Sequence, residues 1–218
     1  MKKYLFILFL FVPTFAHSAL FVEGIVGGLK SVDKTYDNPR SQNINTLPLW
    51  YTYGFRIGNV YRNSDLSFGY TIYDVPNINA SADGLLSGDL GIAMYDLQAL
   101  AILPLYKDLK WKIGGSIGYA EFDHRIAQNV IDQYKNMIYQ TEIKISETLE
   151  NQIFETFSLG LEYKINRYLS FNLTSKYLLL NTTRTRMQQA GLDAYFFQDV
   201  KRINLNSIMV LAGIRVYI

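Results

Sequence analysis

Several segments of this chain consist of apolar or small residues that are interrupted by single charged residues. These charged side chains are the best candidates for binding or transporting ions. Each of them alternates with large apolar neighbours, and the set comprises Glu23, Arg56, Asp96, Lys112, Glu162 and Arg215. Acids and bases held together in a low-dielectric interior pair with one another, and such pairs tolerate the loss of one partner poorly. The set suits two roles: an ion network that fills a narrow interior, which we predict, or a gated path for ions.

Eight segments must position these charges, and each alternates large apolar residues with small or polar ones. In the clearest segment, Tyr51, Tyr53 and Phe55 alternate with Thr52 and Arg56. A period of two is the pattern of a β-strand, whose successive side chains point to opposite faces. The predicted strands are residues 19–30, 47–60, 65–75, 89–105, 111–119, 154–164, 169–177 and 207–218. The six charges fall on the face opposite to the large apolar side chains.

The connections between these strands alternate in length. They are a few residues long between the second and third, fourth and fifth, and sixth and seventh strands, and they are long elsewhere. This alternation is typical of an up-and-down barrel in a membrane, with its turns on the periplasmic side and its loops outside. At about 3.3 Å per residue, five of the six charges then share one layer near the turns, with Asp96 nearer mid-height.

The polarity of the two faces indicates which of them meets lipid. A soluble lipocalin-like barrel would turn its apolar face inward and cover its outside with polar residues. Here the polar face is rich in Gly, Ser and Thr, which are too small to cover a surface with charge, whereas the aromatic face would overfill a lumen of eight strands. We therefore predict an all-β fold, an eight-stranded antiparallel up-and-down transmembrane β-barrel.

The first nineteen residues have the layout of a secretory signal peptide. Met1-Lys2-Lys3 is positively charged, residues 4–12 are apolar, and residues 15–19 form an exit rich in small residues. Cleavage after Ser18 and cleavage after Ala19 both fit this pattern. The barrel domain is predicted to span residues 20–218.

The composition excludes several other classes of protein. The chain has no cysteine, which excludes a disulfide framework and a thiolate metal site. Without Lys2 and Lys3 it carries 19 basic and 19 acidic residues, so no field of either sign favours nucleic acid. Beyond the signal no apolar run reaches the ~20 residues of a membrane helix, so entry into a membrane requires strands. The 17 Tyr and 13 Phe residues suit a membrane interface.

The last strand completes the likeness to a known group. The chain resembles small outer-membrane barrels of Gram-negative bacteria. The resemblance rests on the signal peptide, the aromatic alternation, the short and long connections and the ending Gly213-Ile214-Arg215-Val216-Tyr217-Ile218. These small barrels are the OmpA-like transmembrane domain and the opacity-type surface antigens of the porin family. The resemblance implies a place in the outer membrane, contact with lipid and lipopolysaccharide, and recognition of the last strand by the barrel-assembly machinery. In that family the final residue is typically Phe, where this chain has Ile218.

Catalysis is not expected from the residues at hand. Some small outer-membrane barrels modify lipid A, and such hydrolytic chemistry needs a His with a Ser and a carboxylate. Beyond the signal the chain has one histidine, His124, with no Ser two residues away, and a lone histidine in a loop is usually solvated. One His and no Cys leave only carboxylates for a metal, which suits at most a weak calcium site. We expect no enzyme and no cofactor.

The long loops are where binding is expected. The loop at residues 124–152 fits either a short helix over the mouth or a hairpin that extends the neighbouring strands. The loop at residues 181–201 carries the candidate contact residues Arg184, Arg186, Tyr195, Phe196 and Phe197. They would meet lipid, lipopolysaccharide or a host surface, unless the aromatics fold onto the rim. The expectation is a structural or surface-interaction barrel, with a small-solute or ion channel as the alternative and a lipid A-modifying enzyme as a lesser one.

Overall fold

The structure of the protein is a computed structural model. It describes residues 19–31, 50–78, 88–126, 143–190 and 195–218, with the isolated positions 128, 131, 132 and 136. The predicted signal peptide lies outside the described residues, apart from Ala19. The strands are β1 Ala19–Ser31, β2 Trp50–Tyr61, β3 Ser64–Ile78, β4 Gly88–Tyr106, β5 Leu109–Ile126, β6 Ile143–Leu149, β7 Gln152–Lys164, β8 Leu169–Leu179, β9 Asn181–Ala190, β10 Tyr195–Asn204 and β11 Ser207–Tyr217.

Eight of these strands close into a barrel. Their order around the wall is β1-β11-β8-β7-β5-β4-β3-β2, and neighbouring strands are antiparallel. The glycine-rich β1 is paired along both edges, with β11 on one side and β2 on the other, so the first strand is not left with an open edge. The predicted fold class is confirmed.

Three tight connections lie at the same end of the barrel as Ala19 and Tyr217, and we call this the turn end. They are residues 62–63, 107–108 and 165–168. Arg62, with φ 52°, and Lys107, with φ 23°, adopt the left-handed backbone that reverses the chain there. The opposite end, where the long connections lie, is the loop end. The alternation of short and long connections is confirmed.

The outer surface of the barrel is apolar and aromatic. Tyr51 is 78% exposed and Leu97 is 65% exposed, while their neighbours Thr52, Asp96 and Gln98 are buried. The same contrast holds on the last strand, where Ile214 and Val216 are exposed beside a buried Arg215. A face of this composition requires lipid rather than water, so the predicted assignment of the faces is confirmed. Among the described residues, no helix has the length and apolarity needed to cross a membrane.

The loop end carries a second sheet, and the sequence did not predict its pairing, although a strand within residues 124–152 was one of the two alternatives for that loop. Strands β10, β9 and β6 form three antiparallel neighbours, which we call the extension sheet. Residues 181–201, predicted as a loop, are thus mostly β9 and β10. In the loop at residues 124–152, positions 128, 131, 132 and 136 are helical, and 143–149 is a strand that pairs with β9.

The extension sheet continues three adjacent strands of the barrel wall. β6 runs into β7, β9 follows β8, and β10 runs into β11, with short interruptions at residues 150–151, 180 and 205–206. At the interruption the Leu180 N–H donates to Asn206 Oδ1 over 2.9 Å, and the Leu205 N–H donates to the Leu180 carbonyl over 2.8 Å. These bonds satisfy backbone groups where the strands are interrupted.

Candidate functional site

Arg215 organises a layer of charges inside the barrel near the turn end. Its Nη2 lies 2.8 Å from Glu23 Oε2, and its Nη1 lies 2.7 Å from Asp65 Oδ2. The guanidinium carbon also lies 3.5 Å from the centroid of the Phe21 ring, which is an effective cation–π distance. Alternation in β1 and β11 explains the contact, because Glu23 and Arg215 are direct register partners.

Lys112 joins the same layer from the other side of the lumen. Its Nζ lies 3.0 Å from Asp65 Oδ2 and 2.5 Å from Glu162 Oε2. The hydroxyl of Tyr217 donates to Glu162, and Asn172 Nδ2 donates to Glu23 Oε1 over 2.9 Å. We call Glu23, Asp65, Lys112, Glu162 and Arg215 the turn-end layer.

Arg56 and Asp96 form a separate cluster nearer the middle of the barrel. Arg56 Nη2 donates to both oxygens of Asp96, over 2.9 and 3.0 Å, and Arg56 Nη1 donates to Gln98 Oε1. Lys176 Nζ lies 3.4 Å from Asp96 Oδ2. We call Arg56, Asp96 and Lys176 the middle layer.

The six charges singled out in the sequence therefore divide between two layers. Four of them meet in the turn-end layer, and Arg56 lies with Asp96 in the middle layer rather than in the layer predicted for it. Asp65 and Lys176 were not predicted as members of a charge network. Asp65 has the parity of the buried Ser67 and directly follows a turn, while Lys176 has the parity of the buried Asn172, so their positions in the alternation carried the signal.

The two layers fill the lumen and balance its charge. Among the described residues they hold four carboxylates and four cations, all buried. The cavity between them measures about 20 Å³ and is lined by residues of both layers, including Glu23, Arg56, Lys112 and Lys176. That volume is sufficient for about one water molecule. The interior at this height is a packed ion network.

An apolar layer fills the lumen between the middle layer and the loop end. Its side chains are almost fully buried, and they include Tyr73, Leu90, Met94, Phe154, Leu178, Met209 and Leu211. The Tyr73 hydroxyl lies 2.7 Å from the sulfur of Met209, so the polar end of this side chain is also satisfied. Buried residues of the extension sheet and its junction, Leu149, Leu180, Ile203 and Leu205, belong to the same cluster.

A second group of charges lies above the apolar layer, beneath the extension sheet. Glu147 of β6 lies 3.2 Å from Arg186 and 3.4 Å from Arg184, both on β9, and 3.7 Å from His124 Nε2 of β5. Burial by itself would raise the pKa of the Glu147 carboxyl, but the neighbouring imidazole and the two guanidinium charges outweigh burial and hold the pKa below its ordinary value. We call these four residues the outer cluster.

The outer cluster corrects the interpretation of three residues. Arg184 and Arg186 were predicted as loop contacts, yet they are 1% and 5% exposed, because alternation along β9 turns them to the covered face, where both pair with Glu147. His124 was expected to be solvated, yet it lies on β5 and its side chain is 1% exposed. Tyr195, Phe196 and Phe197 lie on β10, and their side chains are outside the described part of the chain. No group of three metal-ligating side chains occurs among the described residues.

Comparison with known proteins finds the fold in solved outer-membrane structures. No family model matches the chain, and no curated protein matches it. OprG from Pseudomonas aeruginosa is similar, with 14% identity over 93% of this chain and 96% of that one and a TM-score of 0.64. Neisserial surface protein A has 12% sequence identity over 90% of this chain and 96% of that one, with a TM-score of 0.56. AlkL, solved in lipid bilayers, has 14% sequence identity over 93% of this chain and 90% of that one, with a TM-score of 0.54. The chain therefore has the fold of the small eight-stranded outer-membrane β-barrels.

Proposed function

We propose that the protein is a non-conducting barrel of the outer membrane that acts as a structural or surface-interaction element, with its role carried by the loop end. The observation that supports this proposal is the filled lumen. Four carboxylates and four cations pair within it, and the space left between them is about 20 Å³. A conducting path would need a column of water along the whole barrel.

Ion passage would be opposed at two heights. In the turn-end and middle layers a permeating ion would have to displace paired charges, and separating buried pairs is costly. In the apolar layer it would have to enter a region of Leu, Met and Phe side chains that offers no hydration. A small-solute channel remains the competing function, and it would require both layers to rearrange.

The extension sheet is the part of the described chain best suited to contact other surfaces. It lies beyond the lipid-facing band, it is held to the barrel by the outer cluster, and Met187 and Val200 on it are exposed. Lipopolysaccharide surrounds the loop end of such a barrel, so it is the first contact that we propose. Our proposal also includes export through a cleaved signal in residues 1–19 and recognition of β11 by the barrel-assembly machinery.

The proposal assigns no reaction to the protein. His124 is the one histidine beyond the signal, and its imidazole is held under the extension sheet beside Glu147. A catalytic imidazole must reach its substrate within hydrogen-bond distance. The buried position of His124 therefore supports a structural role for this residue.

Conductance in planar bilayers tests the non-conducting barrel. The refolded protein, verified by heat-modifiable migration on a gel, is expected to give no sustained current. Sustained, ion-selective currents would overturn the proposal in favour of the channel. As a second arm, residues 182–203 are replaced by Asn-Gly, a sequence that favours a tight hairpin turn. Cells carrying this variant should keep the folded barrel, but the variant protein should no longer bind lipopolysaccharide as the wild-type protein does. Retained binding of lipopolysaccharide would contradict a role for the extension sheet.

A further inference from the structure

The barrel wall opens between β7 and β8 where their ladder ends. Toward the loop end, the last register pair of this ladder is Glu155 with Leu179. Farther toward the loop end the chain is joined again, because the Glu150 N–H donates to the Thr183 carbonyl over 3.0 Å. Between these two points the outer face of the barrel holds a cavity of about 290 Å³.

The cavity lies just beyond the lipid-facing band. The outward residues of β7 are apolar from Tyr163 to Phe157, and Glu155 is the first charged one toward the loop end. At about 3.3 Å per residue and a strand tilt near 40°, Glu155 lies about 20 Å above Tyr163 along the membrane normal. The apolar band of such barrels is about 25 Å tall, so Glu155 lies at its outer boundary. Ile153 and Arg202 lie farther toward the loop end, at the level where lipopolysaccharide presents its core sugars.

The two sides of the cavity differ in chemistry. On the β7 side, Ile153 presents an apolar surface and is 66% exposed. On the opposite side, Asn181, Thr183 and Arg202 of β9 and β10 offer an amide, a hydroxyl and a guanidinium group, while Glu155 adds a carboxylate at the edge nearest the lipid. Within the described part of the chain, neither the Arg202 guanidinium nor the Glu155 carboxylate has a hydrogen bond or ion pair with another residue. Both groups are therefore available to a ligand.

We propose that this cavity binds one neutral sugar ring of the lipopolysaccharide core, an inference that rests on the proposed contact with lipopolysaccharide and gives it a site. A sugar ring has a face of C–H groups and an edge of hydroxyls. The face packs against Ile153, while Arg202 donates to hydroxyl oxygens and Glu155 accepts from hydroxyl protons. One positive and one negative side chain leave the lining without net charge, which favours a neutral ring over a phosphate group. Ligand sites have volumes from about 300 Å³ upward, so the cavity suits a single ring rather than a whole oligosaccharide.

Native mass spectrometry of the refolded full barrel in detergent tests the site with two probes: lipopolysaccharide that carries the core but no O-antigen, and lipid A, which lacks the core. The wild type should bind the core-bearing probe about tenfold more tightly than lipid A, because the ring adds charge-assisted hydrogen bonds. Arg202→Ala and Glu155→Ala should each reduce this preference to near zero. Equal affinities of the wild type for the two probes, or an unchanged preference in both variants, would overturn the proposal.

The opposite charges of the two residues separate a sugar from a phosphate. A neutral ring requires both Arg202→Ala and Glu155→Ala to weaken binding of the core-bearing probe. Attraction of phosphate alone would instead weaken binding in Arg202→Ala and strengthen it in Glu155→Ala, and that pattern would overturn the proposal. Ile153→Ser keeps both charges and should still lower the affinity for the core-bearing probe, because the apolar surface under the ring is lost.

Matched controls separate this site from general contact with lipopolysaccharide. Arg125 and Glu121 are exposed residues of β5 toward the loop end that do not line the cavity. Arg125→Ala and Glu121→Ala should leave both affinities unchanged, and losses equal to those of the cavity variants would overturn the proposal. All variants are first checked for the folded barrel by heat-modifiable migration.

Two further outcomes distinguish this inference from the proposed function. If the replacement of residues 182–203 abolishes binding of lipopolysaccharide while both cavity variants bind as the wild type does, the sugar site is overturned and the role of the extension sheet stands. Tighter binding of a free sulfated glycan than of the free core oligosaccharide, lost in the cavity variants, would assign the cavity to the surface of another cell and would also overturn the sugar site.

Discussion

Replacing Arg215 with Met tests the turn-end layer most directly. The substitution keeps a long side chain beside Phe21 and removes the charge that contacts Glu23 and Asp65. Three carboxylates then remain in the turn-end layer with Lys112 as their one cation among its described members. Removing one partner of a buried ion pair costs about 3–5 kcal/mol, because the other partner is left uncompensated. We expect the free energy of unfolding to fall by about that amount.

The assay is equilibrium unfolding by denaturant of the barrel refolded in lipid vesicles, followed by tryptophan fluorescence. Arg167→Met is the matched control, because Arg167 is exposed in the turn at residues 165–168 and its guanidinium lies over the ring of Tyr168. Exposed substitutions of this kind change stability by about 0.5 kcal/mol or less. Adding Glu23→Gln to Arg215→Met should recover part of the loss, because one uncompensated charge is removed.

Two results would refute the reasoning. A loss below about 1 kcal/mol for Arg215→Met would mean that water reaches the carboxylates of the turn-end layer. Additive losses in the double variant would mean that Glu23 and Arg215 are not coupled, since residues of one network deviate from additivity.

Two further predictions concern the wall and the loop end. Leu159→Arg, midway along β7 on the lipid face, should cost about 2–4 kcal/mol in the same vesicle assay, and Ser158→Ala on the lumen face about 1 kcal/mol; comparable losses would mean that the faces are reversed. Because the folded pKa of Glu147 is lowered, its pairing stabilises the extension sheet above the ordinary pKa of 4.5 and is lost as the pH falls through the lowered value. NMR signals of β6 should change on acidification in the wild type, whereas Glu147→Gln should give the acid spectrum at neutral pH; identical wild-type spectra across the range would contradict this.

The barrel was predictable from the sequence because lipid imposes a strict contrast on every strand. Tyr51, Tyr53 and Phe55 must face hydrocarbon while Thr52 and Arg56 face the lumen, and this alternation is visible in the residues alone. The lumen charges were located by the same contrast. Their partners were not. Glu23 is the register partner of both Arg56 and Arg215, and the packing of side chains inside the closed lumen decides that Arg56 meets Asp96 while Arg215 meets Glu23 and Asp65.

The extension sheet escaped prediction because it lies outside the lipid band. Residues 181–190 read Asn-Thr-Thr-Arg-Thr-Arg-Met-Gln-Gln-Ala, so polar residues occupy both faces and the contrast between them is weak. The period of two is still present, with Thr182, Arg184 and Arg186 buried on one face. The sequence did not reveal that Glu147, 37 positions before Arg184, contacts both arginines on the covered face.

The pairing of Glu23 with Arg215 also has a consequence for the order of assembly. The two residues are 192 positions apart, on the first and last strands of the wall. A chain inserted strand by strand would carry the carboxylate of Glu23 before its guanidinium partner arrived. Closure of the wall and pairing of Glu23 with Arg215 are therefore one event, and an unfinished barrel in hydrocarbon is penalised by its own unpaired charge.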